Sequence, residues 1–132
     1  MPTFPRIWIR ALLGAVIAGA ATLAQALEVK PFSAEALAAA QTAGQPVAVH
    51  FHADWCPTCV NQSRALGQLQ AAGQLPGLTV LVADYDREKA LRRQHKVRSQ
   101  SVLIVFRGAS EVARSAGQTQ ADELRQALAR AL

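Results

Sequence analysis

Two cysteines separated by two residues are the part of this sequence best suited to chemistry. Cys56 and Cys59 enclose Pro57 and Thr58, and the chain of 132 residues has no other cysteine. If a helix begins at Cys56, its thiol faces unpaired backbone N–H groups and the positive end of the helix dipole, which lower its pKa below the free value of about 8.5. We therefore assign Cys56 as the thiolate that attacks a disulfide and Cys59 as the thiol that resolves the mixed disulfide.

The same pair of cysteines permits two other interpretations. One is a structural disulfide without a catalytic role, and the other is a soft-metal site for copper or zinc that uses Cys56, Cys59 and a histidine. An all-cysteine zinc site and an iron–sulfur cluster are excluded within one chain because each needs four thiolates. Met1 is the only methionine, so the methionine-rich stretches of some copper-handling proteins are absent.

The elements around the cysteines favour the redox interpretation. Residues 47–52 (VAVHFH) predict a strand, residues 53–55 a turn, and residues 56–72 a helix with Pro57 in its first turn. Strand, turn and helix together place the first cysteine at a helix start. Trp55 precedes it and is expected to shield the site and offer substrate an apolar contact surface.

The rest of the pattern predicts a small α/β domain. Further predicted elements are a helix over 33–42 with Ser33 as its N-cap, buried strands over 78–83 and 102–106, a charged helix over 84–96, an edge strand over 111–115, and a last helix capped by Thr119 with Leu124 and Leu128 as its apolar stripe. The resulting order is helix, strand, helix, strand, helix, strand, strand, helix. It predicts an α/β fold with a central mixed β-sheet flanked by α-helices.

Composition and charge exclude several classes of protein. Hydrophobic residues make up 51% of the chain and charged residues 17%, which excludes a disordered chain. The length fits one domain with a targeting segment. The net charge of +5 is a modest excess, and the basic residues between Arg87 and Arg98 have the helical spacing of a solvated face without interleaved aromatic residues. We therefore predict no nucleic-acid binding.

The N-terminal residues have the order of a secretory signal peptide. Arg6 and Arg10 precede an uncharged run from Ala11 to Leu27, and Ala24-Gln25-Ala26 supplies small residues at a cleavage site. We predict residues 1–26 as the signal peptide, residues 27–132 as the mature domain, and a periplasmic or otherwise exported location. The alternative is an uncleaved anchor in the inner membrane with the domain outside the cytoplasm, although the run is short for a bilayer.

The stretch Val47 to Cys59, VAVHFHADWCPTC, resembles the thioredoxin family. The Ala53–Cys56 run is similar to the C-terminal domains of periplasmic thiol–disulfide interchange proteins, and the resemblance continues through residues 78–86, 97–98, 102–106 and Gly117. It implies a thioredoxin-like fold over 27–132 and dithiol–disulfide exchange with protein thiols and disulfides, without a bound cofactor or metal. We expect a monomer, with a membrane-bound redox protein as one candidate partner.

The sequence departs from that family at Ser101, where thioredoxins usually have a cis-proline. A cis peptide bond before serine costs about 2.5–4 kcal/mol, so we predict a trans Gln100–Ser101 bond. We expect this loop to face Cys56 and Cys59 but to be less rigidly fixed. The Ser101 hydroxyl is then able to hydrogen-bond the Cys56 thiolate.

Three histidines complete the set of candidate residues. His50 stands where the family has a buried acid, and two roles stay open for it: a proton relay for Cys59, or a core histidine that is hydrogen-bonded to the backbone. His52 is expected to pack near the site rather than to take part in catalysis. His95 lies in the charged helix and is expected at the surface.

Overall fold

A five-stranded sheet forms the centre of the molecule. The computed structural model describes residues 25–132, so the predicted signal peptide lies outside the described residues except for Gln25 and Ala26. The elements are β1 (Glu28–Pro31), α1 (Ala34–Thr42), β2 (Pro46–His52), α2 (Pro57–Ala71), β3 (Thr79–Asp84), α3 (Lys89–Gln94), β4 (Val102–Arg107), β5 (Ser110–Ala116) and α4 (Ala121–Ala129).

The strand order is β1-β3-β2-β4-β5. β3 pairs in parallel with β1 and β2, whereas β4 pairs antiparallel with β2 and β5. The sheet is therefore mixed and is flanked by four helices, which confirms the predicted fold class. β2 lies in the middle of the sheet, and its carboxyl end leads directly into the turn before the two cysteines.

Two hydrophobic clusters cover the two faces of the sheet. On one face, Leu66 of α2 and Leu124 and Leu128 of α4 pack with Ala48 of β2. On the other face, Leu37 of α1 and Leu91 of α3 pack with residues of β2 that include Phe51. Since both faces are covered, residues 47–51 are all buried, and a strand anchored in this way gives the cysteines a fixed base.

The first strand, β1, was not among the predicted elements. It has only four residues, and its outer positions Glu28 and Pro31 are exposed. Neither an apolar run nor a clean alternation marks so short an edge strand. The parallel pairing of Val29 with Val80 of β3 positions it at the edge of the sheet.

The charged helix is shorter than predicted, because residues 84–88 do not belong to it. Asp84 ends β3, and its carboxylate accepts hydrogen bonds from the backbone N–H groups of Asp86 (2.9 Å) and Arg87 (3.2 Å). An aspartate that bonds the backbone N–H groups two and three residues ahead caps a turn at its own position, but the backbone of Glu88 (φ −81°, ψ 54°) then leaves helical geometry. α3 therefore begins only at Lys89.

The predicted cap of the last helix is also wrong. Gln120, not Thr119, is the N-cap of α4, and no side chain bonds the free N–H groups there. The Asp122 carboxylate lies 3.6 Å from Arg125 Nε and forms an ion pair along the helix. Leu124 and Leu128 are buried as predicted. Within residues 25–132 no helix combines the length and apolarity needed to cross a bilayer.

Candidate active site

Cys56 is the N-cap residue of α2. Its backbone is extended, and its sulfur accepts a hydrogen bond from the backbone N–H of Cys59 at 3.2 Å. Pro57 occupies the first turn, where its missing N–H costs nothing, and it is exposed, while Thr58 is half-buried. The predicted helix start is therefore confirmed. Cys56 and Cys59 are both buried free thiols, with 3% and 0% of their surface exposed.

Ser101 brings its hydroxyl to both sulfurs. The Ser101 Oγ atom lies 3.3 Å from Cys56 Sγ and 3.1 Å from Cys59 Sγ. No cis peptide bond occurs in residues 25–132, so the predicted trans Gln100–Ser101 bond is confirmed. Ser101 has a φ of +67°, in the left-handed region that few residues other than glycine adopt. The site thus contains three side chains in mutual contact: Ser101 from the loop, Cys56 from the N-cap of α2 and Cys59 from its first turn.

Three hydrogen bonds anchor the loop at Ser101, and its expected lower rigidity stays a prediction. The Ser101 N–H donates to the Phe51 carbonyl at 2.9 Å, a bond that proline is unable to make. The Ser101 carbonyl accepts hydrogen bonds from the Gly117 N–H and from the Gln62 side chain, both at 3.0 Å. These bonds compensate for the unusual backbone angle and fix the hydroxyl against the thiols.

The surroundings of the two thiols shift their pKa values in opposite directions. Burial raises the pKa of Cys56, but hydrogen bonds from the Cys59 side chain, the Ser101 hydroxyl, the Cys59 backbone and the Gln100 side chain together lower it by more, so the net direction is downward. Burial and the neighbouring Cys56 raise the pKa of Cys59, against a smaller opposing effect of Ser101. Cys56 is therefore the thiol that ionises first, in the order that attack and resolution require.

His50 lies in the core and bonds a second buried polar residue, Gln62. The His50 Nε2 atom is 2.8 Å from Gln62 Oε1, and the Gln62 amide nitrogen donates to the carbonyls of Ser101 and Gln118. Because the Gln62 amide oxygen only accepts hydrogen bonds, the His50 Nε2 atom must carry the proton and donate it in the hydrogen bond to that oxygen. His50 Nδ1 is buried and has no partner within residues 25–132.

Both roles of His50 stay predictions, and its pKa bears on the proton-relay role. Burial lowers the pKa of His50 from 6.5 to about 4, with a further decrease from His52 and an opposing hydrogen bond from Gln62. The imidazole is therefore neutral at neutral pH and a weak base. Within the described residues it hydrogen-bonds neither thiol, and it is linked to Ser101 through Gln62.

The other predicted residues lie at the rim of the site or farther away. Trp55 is 61% exposed, and its indole N–H donates to the Asp86 carboxylate at 2.8 Å. His52 bonds Asp54 at 2.9 Å and Ser63 at 3.3 Å, and its packing role stays a prediction. His95 is not a surface residue: it is half-buried, and its ring packs against Phe106 with centroids 5.5 Å apart.

Sequence reasoning missed Gln62 and Tyr85. Gln62 follows Cys59 by three residues and precedes Leu66 by four, so a polar side chain occupies the buried face of α2. That helical spacing was the signal in the sequence from which the burial of Gln62 could have been predicted. Tyr85 packs against the cluster of Ala53, Cys56 and Cys59, but it lies in a segment that the sequence assigned to a helix. Its contact with the cysteines depends on the turn that Asp84 makes.

The soft-metal alternative lacks a third ligand in the described part of the chain. No group of three or more histidine, cysteine, aspartate or glutamate side chains in residues 25–132 is arranged to hold a metal ion. The atom that completes the contacts of both sulfurs is instead the hydroxyl oxygen of Ser101.

Comparison with known proteins agrees with this geometry. A family model described as Thioredoxin matches residues 26–130. The thioredoxin of Chlamydia trachomatis serovar D is 36% identical over 78 residues, covering 59% of this chain and 74% of that protein. The crystal structure of Trxlp from Edwardsiella tarda is 41% identical with a TM-score of 0.69, covering 76% of this chain and 98% of that one. Thioredoxin from Trypanosoma brucei brucei, at 20% identity and a TM-score of 0.65, shares the fold over 77% of this chain and 88% of its own.

Proposed function

The chain belongs to the thioredoxin family and is a thiol–disulfide oxidoreductase of that family, and we propose that it acts outside the cytoplasm on protein substrates through its Cys-Pro-Thr-Cys pair. Thioredoxins act on protein thiols and disulfides. The observation that carries the proposal is the position of the Cys56 sulfur, which receives the Cys59 N–H at 3.2 Å and the Ser101 hydroxyl at 3.3 Å. Both bonds favour the thiolate, which is the nucleophile in disulfide exchange.

In the first step the Cys56 thiolate attacks one sulfur of a substrate disulfide. A bond forms between Cys56 Sγ and that sulfur, the substrate S–S bond breaks, and the other substrate sulfur leaves as a thiolate that takes up a proton. Trp55 is exposed next to Cys56 and offers the substrate an apolar surface. Its hydrogen bond to Asp86 holds the indole ring in one orientation.

In the second step Cys59 resolves the mixed disulfide. The Cys59 thiol loses its proton and attacks Cys56 Sγ, and the second substrate sulfur leaves as a thiol. The protein then carries the Cys56–Cys59 disulfide, and two electrons have passed to the substrate. Ser101 Oγ is 3.1 Å from Cys59 Sγ, so its hydroxyl is within reach of the proton that Cys59 must release. The same steps in reverse oxidise a substrate dithiol.

Export is supported by the N-terminal pattern and by a finer resemblance. The order of Arg6 and Arg10, an apolar run and Ala24-Gln25-Ala26 is typical of a secretory signal. The Ala53–Cys56 run is similar to the C-terminal domains of periplasmic thiol–disulfide interchange proteins. A redox partner at the membrane, able to exchange electrons with the Cys56–Cys59 pair, fits that location.

The roles of the two cysteines are tested by alkylation and by trapping. We expect brief treatment of the reduced protein with iodoacetamide at mildly acidic pH to modify Cys56 and to leave Cys59, because Cys56 ionises first. The Cys59→Ser variant should accumulate mixed disulfides with oxidised insulin, and the matched Cys56→Ser variant should accumulate none. Equal alkylation of both thiols at every pH, with no trapped complex, would remove the assignment.

A further inference from the structure

A cleft lined by basic residues lies beside the two cysteines. Its volume is about 460 Å³, and we call it the α3 cleft after the helix that forms one wall. The residues that line it are Tyr85, Lys89, Arg92, Arg93, Lys96, Val97 and Arg98. Five of these seven are cationic and none is acidic. The sequence pattern predicted this group as a solvated helical face, but the short α3 and the segment after it form a concave surface.

No lining cation of the α3 cleft forms an ion pair with the described part of the protein. The ion pairs within residues 25–132 involve other cations, for example Arg87 with Asp84 and Arg114 with Glu111, and none includes a residue of the cleft. Arg92 Nε is buried and has no hydrogen-bond partner among these residues. Like charges gathered around a concavity reinforce one another, so the cleft attracts anionic groups.

Tyr85 connects the α3 cleft to the active site. One side of its ring packs against the cluster of Ala53, Cys56 and Cys59, and its hydroxyl donates to the Arg98 carbonyl at 3.1 Å. The Arg92 guanidinium lies 4.0 Å from the centre of the same ring. One lining residue therefore packs against both the cluster that contains the two cysteines and the cationic wall, so the cleft adjoins the active site.

Lys96 occupies a backbone position that is better suited to glycine. Its φ is +56°, and the Val97 N–H bonds the Arg92 carbonyl at 2.8 Å, which is the pattern that ends many helices with glycine. A lysine at this position adds a cation to the cleft at the cost of backbone strain. It also offers a substitution that removes the cation while relieving the strain.

We propose that the α3 cleft binds an acidic segment of the protein substrate, next to the disulfide that Cys56 attacks. The inference rests on the proposed function and adds a preference among its substrates. A second cavity beside Trp55 strengthens it, because Asp54, Asp84 and Asp86 line that cavity. An acidic segment is repelled there and attracted to the α3 cleft, so the charges orient the substrate as well as bind it.

Two synthetic peptides test this preference. Each carries one cysteine as a mixed disulfide with 4-thiopyridine, and they differ only in having glutamates or lysines beside the cysteine. We expect the reduced full chain to react about ten-fold faster with the acidic peptide at low ionic strength, and the preference to disappear at high salt. The double variant Arg93→Gln/Lys96→Gln should lose most of the preference for the acidic peptide. The single variant Lys96→Gly should show a smaller preference than the wild type, without a lower free energy of unfolding.

The matched control is Arg64→Gln with Arg130→Gln. These exposed cations lie on α2 and after α4, on the face of the sheet opposite α3, and their loss changes the net charge by the same amount. If both double variants lose the preference for the acidic peptide equally, net charge causes it and the proposal is overturned. If the wild-type chain reacts with both peptides at the same rate, the proposal is also overturned. Binding to phosphatidylglycerol vesicles without a peptide preference would also overturn it. If neither peptide nor insulin reacts, the proposed function itself is wrong.

Discussion

Ser101 combines two properties that proline at the same position would not have. Its φ of +67° is far from the proline value near −65°, and its N–H donates to the Phe51 carbonyl. Ser101→Pro would therefore disturb the backbone as well as remove the hydroxyl. Ser101→Ala is the cleaner change, because alanine keeps the N–H and has nearly the same backbone preference.

We expect Ser101→Ala to make the cysteine pair a stronger reductant. The hydroxyl 3.3 Å from Cys56 Sγ helps to lower the pKa of that thiol and so stabilises the reduced state. Loss of one such bond costs about 1 kcal/mol. For a two-electron couple this lowers the reduction potential by about 20 mV, measurable by equilibration with glutathione. The pKa of Cys56, followed by thiolate absorbance, should rise in the same variant.

Ser99→Ala is the control for this prediction. Ser99 is exposed in the same loop, and its substitution removes the same type of group, a serine hydroxyl, at a different position. An unchanged potential in Ser101→Ala, or an equal change in both variants, would show that the Ser101 hydroxyl does not act on the sulfurs.

The sequence identified part of the site because its chemistry depends on local spacing. Cys56 and Cys59 are defined by the helix start, and Ser101 was found by its departure from a family pattern. Gln62 could not be assigned in this way, since its three hydrogen-bond partners are His50 and the carbonyls of Ser101 and Gln118. Those partners come from distant parts of the chain, and only the fold brings them together.

At the scale of elements, the bond between His50 and Gln62 connects β2 with α2. A buried imidazole with a pKa near 4 favours the folded state only while it is neutral. The unfolded chain has the ordinary pKa of 6.5 and binds a proton first as the pH falls. The contribution of His50 to the free energy of unfolding is therefore fully present above pH 6.5. It decreases by about 3 kcal/mol as the pH falls from 6.5 to about 4.

Urea unfolding at several pH values measures this loss. We expect the free energy of unfolding to fall on acidification through that window, and His50→Gln to flatten the pH dependence while lowering stability at neutral pH. The control is His95→Gln, because burial also lowers the pKa of His95, although this residue is only half-buried. If the free energy of unfolding of His50→Gln depends on pH as steeply as that of the wild type, groups other than His50 cause the pH dependence.

The elements that sequence predicted well are those with long apolar patterns. β2, β3, β4 and α2 lie close to their expected bounds because each has a buried run or a clear helical face. β1 was missed since its place depends on pairing with β3, a contact distant in sequence. The start of α3 was misjudged because Asp84 caps a separate turn over residues 85–87, and the backbone at Glu88 leaves helical geometry before Lys89.

At the scale of the whole molecule, the folded core reaches back to the predicted cleavage point. The Leu27 side chain is 1% exposed and packs in the cluster beneath α2 and α4, and β1 begins at Glu28. Cleavage after Ala26 would retain every strand of the sheet. It would remove Gln25, whose carbonyl accepts a hydrogen bond from the Gly77 N–H at 2.6 Å, in a turn open to water.

We therefore expect the protein isolated from its native cell envelope to begin at Leu27. The reason is that Arg6, Arg10 and the apolar run direct export, while Ala24 and Ala26 fit the small-residue positions of a signal cleavage site. N-terminal sequencing and intact mass measure the outcome. The control is Ala26→Arg, which blocks the small-residue position and should leave the precursor uncut at the membrane. A wild-type chain that starts at Met1 and stays with the membrane fraction would instead support the anchor.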